Sequence, residues 1–176
     1  MEEKLRTGEA VSARVRKQET KAVGDEMKVA GTVHIDVVDG ETGQIRLSAT
    51  APNLVTYGGM DAISSAIAQA SAGQFNYVAI SGSNVSHSAG STTLTGEITL
   101  GLSPAARGQA TYSHTTAAST YSLSYTWTAT TAFVNIQQGG TFDQVTSGRM
   151  SFVSTFSSVS LNSNDQLTLT WFVRVV

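Results

Sequence analysis

From Lys28 onward, apolar residues fall at every second position, and the same alternation returns in one segment after another. In "KVAGTVHIDVVDGETGQIRLSAT", Val29, Gly31, Val33, Ile35 and Val37 share one side, Asp39 to Gly43 supply turn chemistry, and Ile45, Leu47 and Ala49 resume the pattern. A period of two is that of a strand with one covered face, so this stretch predicts a β-hairpin. "APNLVTYGG" should then interrupt the sheet, because Pro52 has no N–H for a ladder and Gly58-Gly59 permit positive φ. The period changes next. In "GMDAISSAIAQA", Met60, Ile63, Ile67 and Ala70 recur at steps of three and four, which predicts one short helix, ending by Gly73 and packed flat on a sheet. Asp61 near its start would suit the positive end of the helix dipole.

"QFNYVAISG" is nearly all apolar and predicts a strand covered on both faces, whereas "SGSNVSHSAGSTT" has no period and predicts a long exposed loop. "LTGEITLGL" and "ARGQATYSHT" predict strands on either side of a turn at Ser103-Pro104. In "YSLSYTWTATTAF", Tyr121, Leu123, Tyr125, Trp127 and Ala129 point to the core while Ser122, Ser124, Thr126 and Thr128 point away. The pattern continues through "FVNIQ" to a turn at Gly139-Gly140. "RMSFVSTFSSVSL" and "QLTLTWFVRVV" then predict a terminal hairpin about the turn Asn162 to Asp165. Many short strands with turn signals between them predict a mainly β chain: an antiparallel β-sandwich or jelly-roll-like domain over residues 28–176, with one short helix.

Charge adds a boundary that hydropathy alone does not give. Eight of the eleven Lys and Arg and nine of the thirteen acids precede residue 47. Residues 1–27 are charged and lack a sustained period, so they read as an arm that makes an assembly contact rather than part of the β-domain. The sparse cations beyond it argue against nucleic acid as partner, since phosphate binding draws on several clustered cations. With no cysteine, disulfide scaffolds and cysteine-based zinc or redox sites are excluded. The start is charged where a signal peptide needs an apolar run, and no stretch is apolar enough for a membrane span. The chain is therefore expected to be made in the cytoplasm without a membrane partner.

Candidate chemistry is thin. His34, His87 and His114 do not stand at metal-ligand spacing with one another or with a carboxylate, and no Ser lies in a Gly-x-Ser-x-Gly elbow. The acids beyond the first hairpin are Asp61, Glu97, Asp143 and Asp165, a poor supply for a hydrolase that needs two carboxylates about 5 to 10 Å apart. The reading is non-enzymatic, with no catalytic residue, metal or cofactor expected. Arg107 and Arg149 stand nearly alone in a charge-poor region and predict local ion pairs with Glu97, Asp143 or Asp61 or hydrogen bonds to loop carbonyls, with pairs between subunits as the alternative. His87 in the Ser/Gly loop, with Tyr112, His114 and Tyr121, forms the candidate ligand-facing set, its rings suited to stacking on a host glycan or receptor.

Several segments occur in a familiar order. "NLVTYGGMDAISSAIA", "FNYVAISGSN", "LTGEITLGLSPAARGQATY" and "GGTFDQVTSGRMSFVSTFSSVSLNSNDQLTLTWFVRVV" together resemble segments of small structural proteins of tailed bacteriophages and related archaeal viruses. The likeness runs from about Val33 to the C-terminus, leaves out the charged arm, and departs at Gln137 and Gln138, where the pattern often carries Glu. It implies a virion structural protein, located in the tail tip, a fibre or a capsid decoration. Its implied partners are copies of itself, other virion proteins and, in the alternative reading, a host surface glycan or receptor. A hydroxyl-rich, lysine-poor β surface suits such packing against symmetric copies.

Overall fold

The first hairpin consists of β1 (Val29–Val38) and β2 (Ile45–Val55), paired antiparallel with one irregularity at Val37/Val38. The computed structural model describes residues 28–68, 74–115 and 118–175, so the arm expected at 1–27 lies outside the described residues. After β2 come α1 (Tyr57–Ala68), β3 (Tyr77–Ser81), β4 (Leu102–Ser103), β5 (Gly108–Gln109) and β6 (Thr111–His114). The long strands β7 (Thr120–Ala129), β8 (Phe133–Phe142), β9 (Met150–Leu161) and β10 (Gln166–Val175) complete the chain.

The ten strands of the described residues join one hydrogen-bonded antiparallel path, ordered β4-β7-β10-β1-β2-β9-β8-β3-β5, with β6 also on β7. The sheet curls into a half-barrel, so that its two halves face each other. One core serves both: Val33, Ile35, Leu123, Trp127, Leu169 and Trp171 from the first half are buried with Ile80, Ile136, Phe152, Val159 and Leu161 from the second. The mainly β, antiparallel expectation therefore holds in its coarse form. The halves are one continuous sheet, joined through β2.

That join explains Pro52. Instead of ending the sheet, Pro52 lies inside β2 as the last residue opposite β1 (Thr32), and from Asn53 the strand pairs with β9. A residue without an N–H is tolerated where a strand exchanges one partner for another. The glycine pair that follows is not a break either. Gly58 and Gly59 lie in the first turn of α1, and a Cβ on Gly59 would overlap the carbonyl of Ser151, so they let the helix lie close against β9. The buried Thr56 caps the helix, its Oγ1 accepting the Gly59 N–H at 3.2 Å while donating to the carbonyl of Met150. Because the helix begins at Tyr57, Asp61 falls past its first turn, and the face turned inward carries Ala62 rather than Met60, which is 43% exposed.

Three further expectations are corrected. Gly139 and Gly140 do not turn; they lie within β8, where a Cβ on Gly139 would come within 2.8 Å of Leu169 in the opposite half. "LTGEITLGL" forms no full strand: it meets the sheet through the isolated bridge of Ser81 to Glu97 and, at its end, through Leu102 of the two-residue β4. And β9 and β10 are not a hairpin, since β9 pairs with β2 and β8 while β10 pairs with β1 and β7. Turn residues reverse the chain direction without choosing the lateral partner. Here Leu161 and Leu167 are both buried in the common core, so the chain crosses from one half to the other.

Candidate functional site

Two arginines organise one end of the second half. Arg107 makes two parallel bonds to Glu97, Nε to Oε1 at 2.9 Å and Nη2 to Oε2 at 2.5 Å, and its Nη1 donates to the carbonyls of Gln144 and Ser147. Its guanidinium lies 3.8 Å from the centre of the Phe142 ring. Arg149 pairs with Asp143 at 3.0 Å, and Asp143 also accepts the Arg149 N–H. Both pairs close within the chain and hold the 143–149 loop down. A third pair, Arg46 with the buried Asp165, ties the β1–β2 turn to the β9–β10 crossing, because Asp165 also accepts the Gly40 and Asn162 N–H groups.

His87 is not on an open loop tip. Its Nε2 lies 2.9 Å from Oε1 of the buried Gln138 on β8, and the Gln138 amide donates to the carbonyl of Val85. The 82–94 loop is thereby fastened over the sheet, and its Leu94 is buried. Sequence gave no sign of this, because the fastening group, Gln138, stands 51 residues away.

The remaining ring residues do come together. Tyr112 and His114 on β6 stack at 6.3 Å, and Tyr112 meets Tyr121 on β7 at 5.8 Å, as the register Tyr112 to Leu123 and His114 to Tyr121 requires. His114 Nε2 is engaged by the carbonyl of Ala118 at 2.9 Å. Tyr112 and Tyr121 form one wall of a cleft of about 500 Å³ between β6, β7 and the inner side of α1. Ala62 and Ile63 of α1, with Phe75, Phe152, Gln74 and Asn76, line the rest of it. Burial, with a smaller push from the neighbouring Tyr112, raises the Tyr121 hydroxyl to about 12, so it stays protonated. Tyr125, further along β7, is also raised by burial; Gly108 lies so close to its ring that a Cβ there would overlap it.

The outward side of the first half is a different kind of surface. Residues opposite one another across strands line up in rows: Thr111, Ser124, Thr170, His34, Thr50 in one, and Thr126, Thr168, Asp36, Ser48 in the next. The Ser124 and Thr170 hydroxyls are 3.0 Å apart, those of Thr126 and Thr168 are 2.7 Å apart, and His34 reaches both Thr50 and Asp36 at 3.1 Å. Strands spaced about 4.8 Å apart thus present a regular array of hydroxyls.

Among the described residues no group of three His, Asp or Glu is placed to hold a metal ion, and no helix is long and apolar enough to cross a membrane. The chain matches no protein-family model, no curated protein and no solved structure.

Proposed function

We propose that the chain is a non-enzymatic structural subunit of a tailed-virus particle, assembling with copies of itself in the tail or on the capsid surface. The observation that carries this reading is the outward face of β6, β7, β10, β1 and β2. Its rows of hydroxyls, with His34 and Asp36 as their ionisable members, form a surface that another β face can meet without desolvating many charges. Resemblance of the motif order to virion proteins supports the same reading, and the charged residues 1–27 would supply a contact to a neighbouring subunit. The finer architecture that goes with it is a sandwich or jelly roll, supported by the facing halves and by the crossings from β7 to β8 and from β9 to β10.

The test is the oligomeric state of the full chain by sedimentation, with Thr126→Lys/Thr168→Lys as the disrupting variant. A cyclic oligomer that the double variant reduces to a monomer of unchanged melting temperature supports self-assembly through this face. A monomer at every concentration defeats it. Antibody labelling of tailed-virus particles from the same source then gives head or tail, and unlabelled particles would remove the virion role.

A further inference from the structure

We infer that the cleft between α1 and the β6–β7 edge is a binding site for a neutral saccharide. Its walls divide in the way a pyranose ring requires. Tyr112 and Tyr121 offer ring faces 5.8 Å apart at a tilt of 39°, suited to the C–H face of a sugar, and Phe75 and Phe152 add apolar lining. The polar groups are amides and hydroxyls rather than charges. Asn76 Nδ2 donates to Gln74 Oε1 at 3.3 Å, which, among the described residues, leaves Gln74 Nε2 as a donor and Asn76 Oδ1 as an acceptor. A sugar hydroxyl is both donor and acceptor and can satisfy the two at once. The Tyr121 hydroxyl makes no hydrogen bond among the described residues, and with its proton retained it is a third group for a sugar oxygen.

Charge narrows the class. Among the described residues no Lys, Arg, Asp, Glu or His lines the cleft. Arg149 lies 5.5 Å from the Phe75 ring centre, and its charge is paired with Asp143. A uronate or sialic acid would leave its carboxylate without a partner there, and a buried unpaired charge is strongly disfavoured. The volume of about 500 Å³ is that of an ordinary small-molecule pocket and admits a mono- or disaccharide. This inference does not rest on the assembly reading, since the cleft opens beside α1 and not on the hydroxyl face.

The experiment is an array of neutral and acidic saccharides probed with the full chain, followed by amide-shift mapping with the neutral saccharide retained best. The result expected is retention of neutral saccharides only, with shifts at Gln74, Phe75, Asn76, Tyr112 and Tyr121. Tyr112→Ala, Tyr121→Phe and Gln74→Ala should each weaken binding about tenfold, roughly one good contact. Tyr112 and Gln74 are exposed, so their variants keep the fold, which an unchanged melting temperature checks. The proposal is overturned if no neutral saccharide is retained, if acidic ones bind equally well, if the shifts map elsewhere, or if the folded variants bind undiminished.

Discussion

The two halves of the curled sheet are built by different means. In the first half the register between β1 and β10 runs unbroken from Val29 to Val38, and that between β7 and β10 from Gln166 to Arg174. In the second, β2 meets β9 over Asn53 to Val55, and β8 meets β9 through three register shifts. The buried polar side chains divide likewise: Ser81, Gln138, Thr141, Ser151 and Ser154 lie on β3, β8 and β9, whereas the inward positions of β1, β7 and β10 are apolar or aromatic. Each of the five has a partner, such as Thr141 with Ser151 at 2.6 Å and Ser154 with the carbonyl of Pro52 at 2.7 Å. The first half is held mainly by apolar side chains under a ladder broken once, at Val37/Val38, with the buried Asp165 paired to Arg46 at one end. In the second, an irregular ladder is supplemented by side-chain hydrogen bonds and ion pairs.

The largest effect should come from removing a ring from the first half. Trp127 is fully buried, meets Tyr125 edge to face at 4.8 Å and donates its Nε1–H to the carbonyl of Ala106 at 3.0 Å. Trp127→Ala should cost about 4 kcal/mol in a denaturant titration. Trp171 is equally buried, but its Nε1 has no partner among the described residues. Trp127→Phe should therefore destabilise more than Trp171→Phe, because only the first removes a hydrogen bond and orphans a carbonyl. Equal losses would mean that ring volume alone sets the stability of this half.

The same division decides what could be read from the sequence. Alternation was legible along β1, β2, β7 and β10 because one face of those strands meets the core and the other does not. It fails along β3, β8 and the inner part of β9, which are covered on both sides: by α1, by the 82–94 loop that Gln138 fastens, and by the opposite half at Gly139. A doubly covered strand has no polar side to mark its period, so Gly139-Gly140 looked like a turn. Pairing across the β9–β10 crossing was also hidden, since partner choice depends on the whole sheet and not on the four turn residues. Of the cleft, Tyr112 and Tyr121 were visible as neighbouring rings on adjacent strands. Phe75, Gln74 and Asn76 were not, because the pairing of β3 with β5, continued by the Ala110 N–H on the Asn76 carbonyl, brings that segment beside β6.

A second experiment separates the two arginine pairs of the second half. The Arg107 side chain is 11% exposed and its partner Glu97 19%, and Arg107 also carries the 144–147 carbonyls. Arg107→Ala should cost about 3 kcal/mol, since it leaves a largely covered carboxylate unpaired. Arg149 is 51% exposed, and its partner Asp143, though only 10% exposed, keeps the Arg149 backbone N–H on truncation, so Arg149→Ala should cost under about 1 kcal/mol. If the two variants melt together, the pairs are equivalent surface contacts and the second half does not depend on a charged fastening.

The smallest effect belongs to the turn that opens the first half. Asp39 accepts the Thr42 N–H at 2.8 Å, the Thr42 hydroxyl at 2.9 Å and the Glu41 N–H at 3.1 Å, and these bonds, the Thr42 N–H foremost, hold its carboxyl below the ordinary value of 3.8. A carboxyl lowered on folding stabilises the native state above its unfolded value, and that contribution is lost as pH falls through the folded value. Asp39→Asn keeps an acceptor oxygen but cannot titrate. Measured by urea midpoint, the wild type should therefore lead the variant slightly at neutral pH, and the lead should disappear well below pH 3.8. A lead that persists into acid would place the value of Asp39 in turn geometry rather than charge. The ionic share of that end of the first half would then rest on the buried Asp165, which accepts the Gly40 N–H and pairs with Arg46.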